Sequence, residues 1–213
     1  MGQNILLLNT KVDMENTRGT AKTITAITKA TEAVITCTHD FAIGDYVFIE
    51  GVVGMPEING RVVRVKSVST TVSFVAEGLD STLFSTYASG GSAYKISSWH
   101  AFDNLTSLNY PEPTPNAIDV TTIHNNQKFE VFGLDDAPTI TLNTISDPTS
   151  VTTKAVRAAS AKKSITAFRV TLQTGTILIF TGYVAGGRGL DGAVGALATG
   201  QISIKLAAPE QYL

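Results

Sequence analysis

The sequence predicts a mainly β protein: a β-sandwich or half-barrel with one helix on its flank and a small β-barrel domain inserted near its start. Three observations carry this reading. Between residues 23 and 96 the runs TITAIT, AVITC, DYVFIEGV, RVVRVKSV, TVSFVAE and SAYKI follow one another, with Gly, Asn or Asp at most of the joins. Short apolar-polar alternation with that punctuation is the mark of strands. Beyond residue 97 the strands lengthen, as in AIDVTTIHNNQKFEVFGL and ITAFRVTLQTGTILIFTGYVA, and a single segment, after Asp147-Pro148, carries helical signals.

In chain order, residues 5–9 read as an opening strand separated from its partners by the barrel. A polar arm follows, with Lys11, Asp13, Glu15, Asn16 and Arg18. Residues 22–96 then supply five or six strands, and closure into a barrel removes the edges that would otherwise pair with other chains. Ile35, Val47, Ile49, Val63, Val65, Val72, Phe74 and Tyr94 are its expected core. Gly44-Asp45 precedes one strand, and Asn59-Gly60 is the pair that a type I′ hairpin turn prefers.

Residues 1–21 and 97–213 make up the larger unit. Past Trp99 and Asn104, Tyr110 leads into Pro111, Pro113 and Pro115, spaced by two. Each proline removes a ladder donor and holds the chain extended, so this loop should protrude. Residues 117–134 read as a hairpin with half-buried strands. Ile118 and Val120 precede its tip, His124-Asn125-Asn126, and Phe129 and Val131 follow it. After TITLNTI, Asp147 is expected as a helix N-cap with Pro148 at the first helical position. Val151, Ala155, Ala158 and Ala159 lie near one face of that helix, and Lys162-Lys163 suit its C-terminal dipole. Two strands around Thr174-Gly175 and a last one, GQISIKLA, complete the unit.

Composition narrows the function classes. With 43% hydrophobic residues in 213 the chain can bury a core without further help. Sixteen basic against eighteen acidic residues argue against a protein whose task is to hold nucleic acid by neutralising phosphates. One cysteine, Cys37, permits no internal disulfide and suits a reducing compartment. MGQNILLLNT lacks a basic n-region, Leu6 stands where myristoylation needs Ser or Thr, and no apolar run approaches the roughly 20 residues of a membrane span. The chain reads as soluble.

No motif points to chemistry. Gly187, Gly189 and Gly192 match G-x-G-x-x-G, but Gly195 and Gly200 follow where a dinucleotide site needs a helix, so a flexible strand connection is expected. His39, His100 and His124 are too scattered for a local metal pattern. Asp135-Asp136 is followed at once by Ala137-Pro138 and lacks the alternation of a calcium loop. Arg61, Arg64 and Lys66 beside Tyr46, Phe48 and Phe74 raise a single-strand-binding barrel, which calls for a stronger positive field than this chain has. No catalytic, cofactor-binding or metal-binding residue is assigned, and the chain is not expected to be an enzyme.

The order of elements in the larger unit carries more. An opening strand with a polar arm, NAIDVTTIHNNQKFEVFGLDDAPTITL, one helix ending in VRAAS, and AFRVTLQTGTILIFTGYVA together resemble the major tail tube protein of lambda-like long-tailed bacteriophages, the siphoviruses. Residues 117–185 carry most of the likeness. The resemblance implies a structural virion protein that polymerises as hexameric rings stacked into the tail tube, a conduit for genome delivery. It implies as partners the chain itself, the tail tip initiator, the tail terminator, the tape measure protein, and duplex DNA passing without sequence readout. The implied location is the phage tail, and the host cytoplasm during assembly. The inserted barrel departs from the minimal tube subunit and is expected on the tube exterior.

Under this reading the ring-stacking contacts are expected from the arm (Lys11, Asp13, Glu15, Arg18), the proline loop (Asn104, Tyr110, Pro111, Pro113, Pro115) and the hairpin tip (His124, Asn125, Asn126). Arm and loop are expected to fold on contact. The rival is an adhesion or carbohydrate-binding β-sandwich using Trp99, Tyr110 or Tyr183.

Overall fold

The computed structural model describes residues 7–213. One strand, β1 (Lys11–Arg18), precedes a group of six: β2 (Lys22–Ile27), β3 (Val34–Cys37), β4 (Tyr46–Val53), β5 (Val62–Ser69), β6 (Ser73–Ala76) and β7 (Ser89–Ala101). Then come β8 (Leu105–Asn109), β9 (Thr114–Asp119), β10 (Glu130–Asp136), β11 (Thr139–Ile145), the helix α1 (Val151–Lys162), β12 (Ile165–Thr171), β13 (Ile177–Gly186) and β14 (Thr199–Tyr212). The fold is mainly β, with a six-stranded barrel and one α-helix among the described residues.

Barrel and larger unit form one continuous twelve-stranded sheet, in the order β2-β3-β6-β5-β4-β7-β1-β12-β13-β14-β11-β8. The barrel closes where β2 also pairs with β7, Lys22 opposite Ala93 and Thr23 opposite Ser92. Strand β7 belongs to both parts. Its first residues, from Ser89 to Lys95, pair with β4, and Ile96 to Ala101 pair with β1. The two parts distinguished by strand length in the sequence thus share one sheet through β7.

Alternation decides what each strand buries. Inside the barrel, Ile35, Val47, Ile49, Val63, Val65 and Phe74 pack with Ile24, Met55 and Ile58. Two expected core residues lie elsewhere. Val72 is exposed, because Thr71 at φ 58° turns the chain between β5 and β6. Tyr94 points the other way from its strand neighbour Ala93 and packs outside the barrel. The second core, beneath the open part of the sheet, holds Val12, Met14, Phe168, Val170, Phe180, Ile140, Leu142, Ile202 and Ile204, and Val156 of α1 plugs it.

Two local expectations change. Asn59 has φ −67° and ψ 137°, Gly60 has φ +77°, and the Arg61 N–H reaches the Ile58 carbonyl. Those angles make a type II turn rather than type I′. The Asn59 side chain explains the choice: it accepts from the Val52 N–H and donates to the Val52 carbonyl, both at 2.8 Å, so it acts as a ladder rung. The helix starts at Val151 with Ser150 as N-cap. Asp147 instead accepts from the Thr149 N–H and hydroxyl, an Asx turn that holds Pro148 outside the helix. Lys163, left-handed at φ 51°, closes the other end on the Ala159 carbonyl.

Candidate assembly surfaces

The segment expected as a free arm is the strand β1, paired on one side with β12 and on the other with β7. Val12 and Met14 point into the core below. On the opposite face Asp13 and Glu15 meet the outside of the barrel. Arg169 of β12 donates to Asp13 at 2.6 and 3.0 Å and lies over the rings of Trp99 and Tyr46. Arg18 pairs with Glu15 and donates to the Ile165 carbonyl at 2.8 Å, while Glu15 also accepts the Ala167 N–H. Tyr46, Phe48, Val62, Ile96, Ala167 and Ile179 form a third core around these charges.

Asp13, Glu15 and Arg18 thus hold barrel to sheet and are not available as an arm; Lys11 alone of the four is exposed. A strand that contributes Val12 and Met14 to the core cannot stay disordered in a folded subunit, and this corrects the expected arm. Alternating apolar residues within KVDMENTR, against charges on the other face, were the available signal. Of the opening strand expected over residues 5–9, residues 5 and 6 lie outside the described residues, and the rest is no strand: Leu8-Asn9 form a turn.

The proline segment divides. Tyr110 is partly buried, its ring 5.9 Å from that of Phe180 and its hydroxyl enclosed. Burial, with Glu210 nearby, raises its pKa. It is a core anchor, not a protruding contact. Pro111 is half-covered, Pro113 is exposed, and Pro115 lies in β9 opposite Asp135. Asn104 sits exposed before β8, its carbonyl accepting the Ile145 N–H.

Strands β9 and β10 pair only with each other, a two-stranded ribbon that prolongs the β8–β11 ladder beyond Tyr110 and Pro138. His124, Asn125 and Asn126 lie exposed in the loop at its end, held by a Thr122 N–H to Asn125 Oδ1 bond at 2.9 Å. The expected half-burial of the strands does not occur. Ile118, Val120, Phe129 and Val131 share one face and remain about half exposed, while Phe132 (73%), Leu134 (91%) and Ile123 (97%) are bare. An isolated two-stranded ribbon is marginal in water, and an apolar face of this kind marks a contact surface.

The remaining sheet surface is different. On the face away from α1, Ser107, Asn143 and Gln201 stand in one row, Asn109, Thr141 and Ser203 in the next. These are uncharged hydroxyls and amides. The Gly-rich connection of residues 187–198 overhangs them and encloses a cleft of about 730 Å³ with Ala185, Gly189 and Asp191 in its lining; no helix opens among its glycines.

The three histidines do not meet: His39 is buried against Phe41 and Phe74, His100 lies on β7 and His124 at the ribbon tip. No cluster of three or more His, Cys, Asp or Glu able to hold a metal occurs among the described residues. Arg64 and Lys66 of the barrel pair with Glu77 and Glu32. Of the aromatics proposed for sugar binding, Trp99 packs on Tyr46 and Tyr110 on Phe180, while Tyr183 is exposed on β13.

A mainly β subunit with an exposed apolar ribbon and rows of uncharged hydroxyls and amides on one sheet face, beside the exposed Lys205, suits a self-assembling structural protein, and the family comparison agrees. The model of the phage tail tube protein family matches residues 53–206. The chain belongs to the phage tail tube protein family. This tail tube protein is therefore a structural component of the phage tail, within the virion. The match opens at the last residue of β4 and runs into β14, so it takes in β5 to β7 of the barrel as well as the larger unit. No curated protein matches the chain. No helix among the described residues of the tail tube protein is long and apolar enough to cross a membrane.

Proposed function

We propose that the tail tube protein assembles as hexameric rings stacked into a hollow siphovirus tail through which duplex DNA is delivered. The observation that carries this is the β9–β10 ribbon, whose apolar face has no further cover among the described residues. Stacking supplies the cover. His124, Asn125 and Asn126 at its tip, with Asn104, Pro111, Pro113 and Pro115 at its base, are the ring-to-ring contacts in this reading. Lys11 is the exposed contact at the start of β1.

Passage requires that DNA not be held, since each phosphate contact adds affinity and releases counterions with a salt slope of about −0.9. The uncharged rows of Ser107, Asn143 and Gln201 and of Asn109, Thr141 and Ser203 suit a bore. They sit at one end of the strand order and the barrel at the other. A ring can therefore turn these rows inward and the barrel, residues 22–96, outward, where it does not obstruct the channel. In this reading the barrel is an inserted domain, the tip complex nucleates polymerisation, and the terminator and tape measure proteins bind the finished tube and its lumen; assembly takes place in the host cytoplasm.

The test is electron microscopy with sedimentation velocity across a concentration series, with and without tail tip complexes. Rings or tubes of uniform bore are expected. A monomer that persists with tip complexes present contradicts the reading.

A further inference from the structure

Among the described residues the ribbon leaves more than its apolar face without a partner. Residues 110–138 carry five carboxylates, Glu112, Asp119, Glu130, Asp135 and Asp136, against the single base Lys128. Asp119 and Glu130 stand directly opposite each other in the ladder, an arrangement that like charges destabilise. Lys128 bonds to Glu130. Asp119, Asp135 and Asp136 form no ion pair among the described residues. The ribbon is thus both apolar and acidic, and it asks for a partner that is apolar and basic.

Among the described residues the outer face of α1 is such a surface. Residues 150–164 contain Lys154, Arg157, Lys162 and Lys163 and no carboxylate. Arg157 is occupied by the Gly187 carbonyl, whereas Lys154, Lys162 and Lys163 are exposed without a carboxylate partner among the described residues. Val151, Ala158 and Ala161 are exposed on the solvent side of α1 with Lys154 and Lys162, and Val151 is 67% exposed. Asp147, before the helix, is the nearest acid in sequence and lies close enough to Lys154 to feel its charge.

The ribbon and the N-terminal end of α1, with Val151 and Lys154, lie at opposite ends of one strand, while the helix runs back along the sheet, so that Ile165 just beyond it shares a row with Thr139 through Tyr183 and Lys205. The ribbon enters β11 at Thr139, and the chain leaves β11 at Ile145 for the start of α1. No ion pair joins the ribbon to α1 among the described residues, and the strands β13 and β14 lie between β12 and β11 in the sheet. Between copies the two surfaces make a heterologous, head-to-tail contact, the type that propagates as an open stack.

We infer that the acidic apolar ribbon β9–β10 of one copy docks on the basic outer face of α1 of a second copy. This rests on the stacked-ring reading and names the surface that receives the ribbon. Rim charges of this kind steer encounter and fix register, and their attraction weakens as salt shortens the Debye length.

The test is a charge swap read by sedimentation velocity and electron microscopy under conditions where the wild type forms tubes. Asp135→Lys with Asp136→Lys, and separately Lys154→Glu with Lys162→Glu, are each expected to raise the concentration needed for assembly at least tenfold while the monomer melts as wild type. Combining all four substitutions in one chain, or mixing the two reversed proteins, is expected to recover assembly. Tubes from either reversed protein at the wild-type concentration, or failure of the four-fold variant to assemble, overturn the docking. Wild-type protein that forms no tubes overturns the stacked-ring reading and the docking with it. Wild-type tubes beside unaffected reversal variants overturn the docking alone.

Discussion

The Arg18 guanidinium lies 3.6 Å above the centre of the Phe48 ring, joining β1 of the open sheet to β4 of the barrel. The same side chain pairs with Glu15, which is itself nearly buried. Arg18→Met keeps much of the packing but strands the Glu15 carboxylate. Removing one partner of a largely buried pair costs about 2–4 kcal/mol, and urea unfolding should show that loss. Adding Glu15→Gln should return part of it. Unfolding should also be a single transition, because β7 runs through both parts of the sheet.

Asn59 holds Val52 through both its amide oxygen and its nitrogen. Asn59→Asp replaces the donor with a second acceptor facing the Val52 carbonyl. An unsatisfied carbonyl beside a carboxylate costs about 1–3 kcal/mol, measurable as a lower denaturation midpoint with unchanged slope. Asn59→Ala should cost less than Asn59→Asp, since it removes the bonds without adding a charge.

The Cys37 thiol is 1% exposed in the barrel core, and burial pushes its pKa up to about 11. Thiol-specific reagents should label the native protein far more slowly than urea-unfolded protein, so labelling reports barrel opening. Because the folded pKa is raised, this group's contribution to stability is complete below its unfolded value near 8.5. It declines as pH rises towards 11. Cys37→Ser should lessen that alkaline loss.

Lys66 holds the Glu32 carboxyl below the usual range, and Lys22 does the same for Asp40. Depressed folded values mean that the stabilisation is present above about pH 4, the unfolded carboxylate range. It is lost as pH falls through the lower folded values. Thermal melts between pH 6 and pH 2 should show the decline, shallower in Glu32→Gln and Asp40→Asn. Both groups lie at the surface, so each effect is small.

The strands and their faces were legible where alternation and burial coincide. Val47 and Ile49, or Phe168 and Val170, follow the period-2 pattern into cores that one chain completes. KVDMENTR misled because its charges bury against a second part of the same sheet: Asp13 needs Arg169, a residue 156 positions away. Ile118, Phe129 and Val131 misled in the opposite sense. Their pattern is that of a half-buried strand, but no core among the described residues closes over them, and they stay about half exposed. Local periodicity tells which face is apolar and not which molecule buries it.

That difference sets the sign of the next prediction. Ile118→Ser with Val131→Ser should leave the monomer's melting within about 0.5 kcal/mol of wild type, as exposed positions do, while tube assembly is lost. Deleting residues 11–18, by contrast, should unfold the subunit, since Val12 and Met14 are 2% exposed. Circular dichroism melts with sedimentation velocity on the same samples separate the two cases.

The most direct measurement is electron cryo-microscopy of assembled wild-type tubes, resolved well enough to trace the β9–β10 ribbon. The account predicts six subunits per ring, a bore without the barrel, and Ile118, Phe129 and Val131 covered by the adjacent ring. A ribbon standing free in solvent on the finished tube, or tubes built without rings, would contradict it.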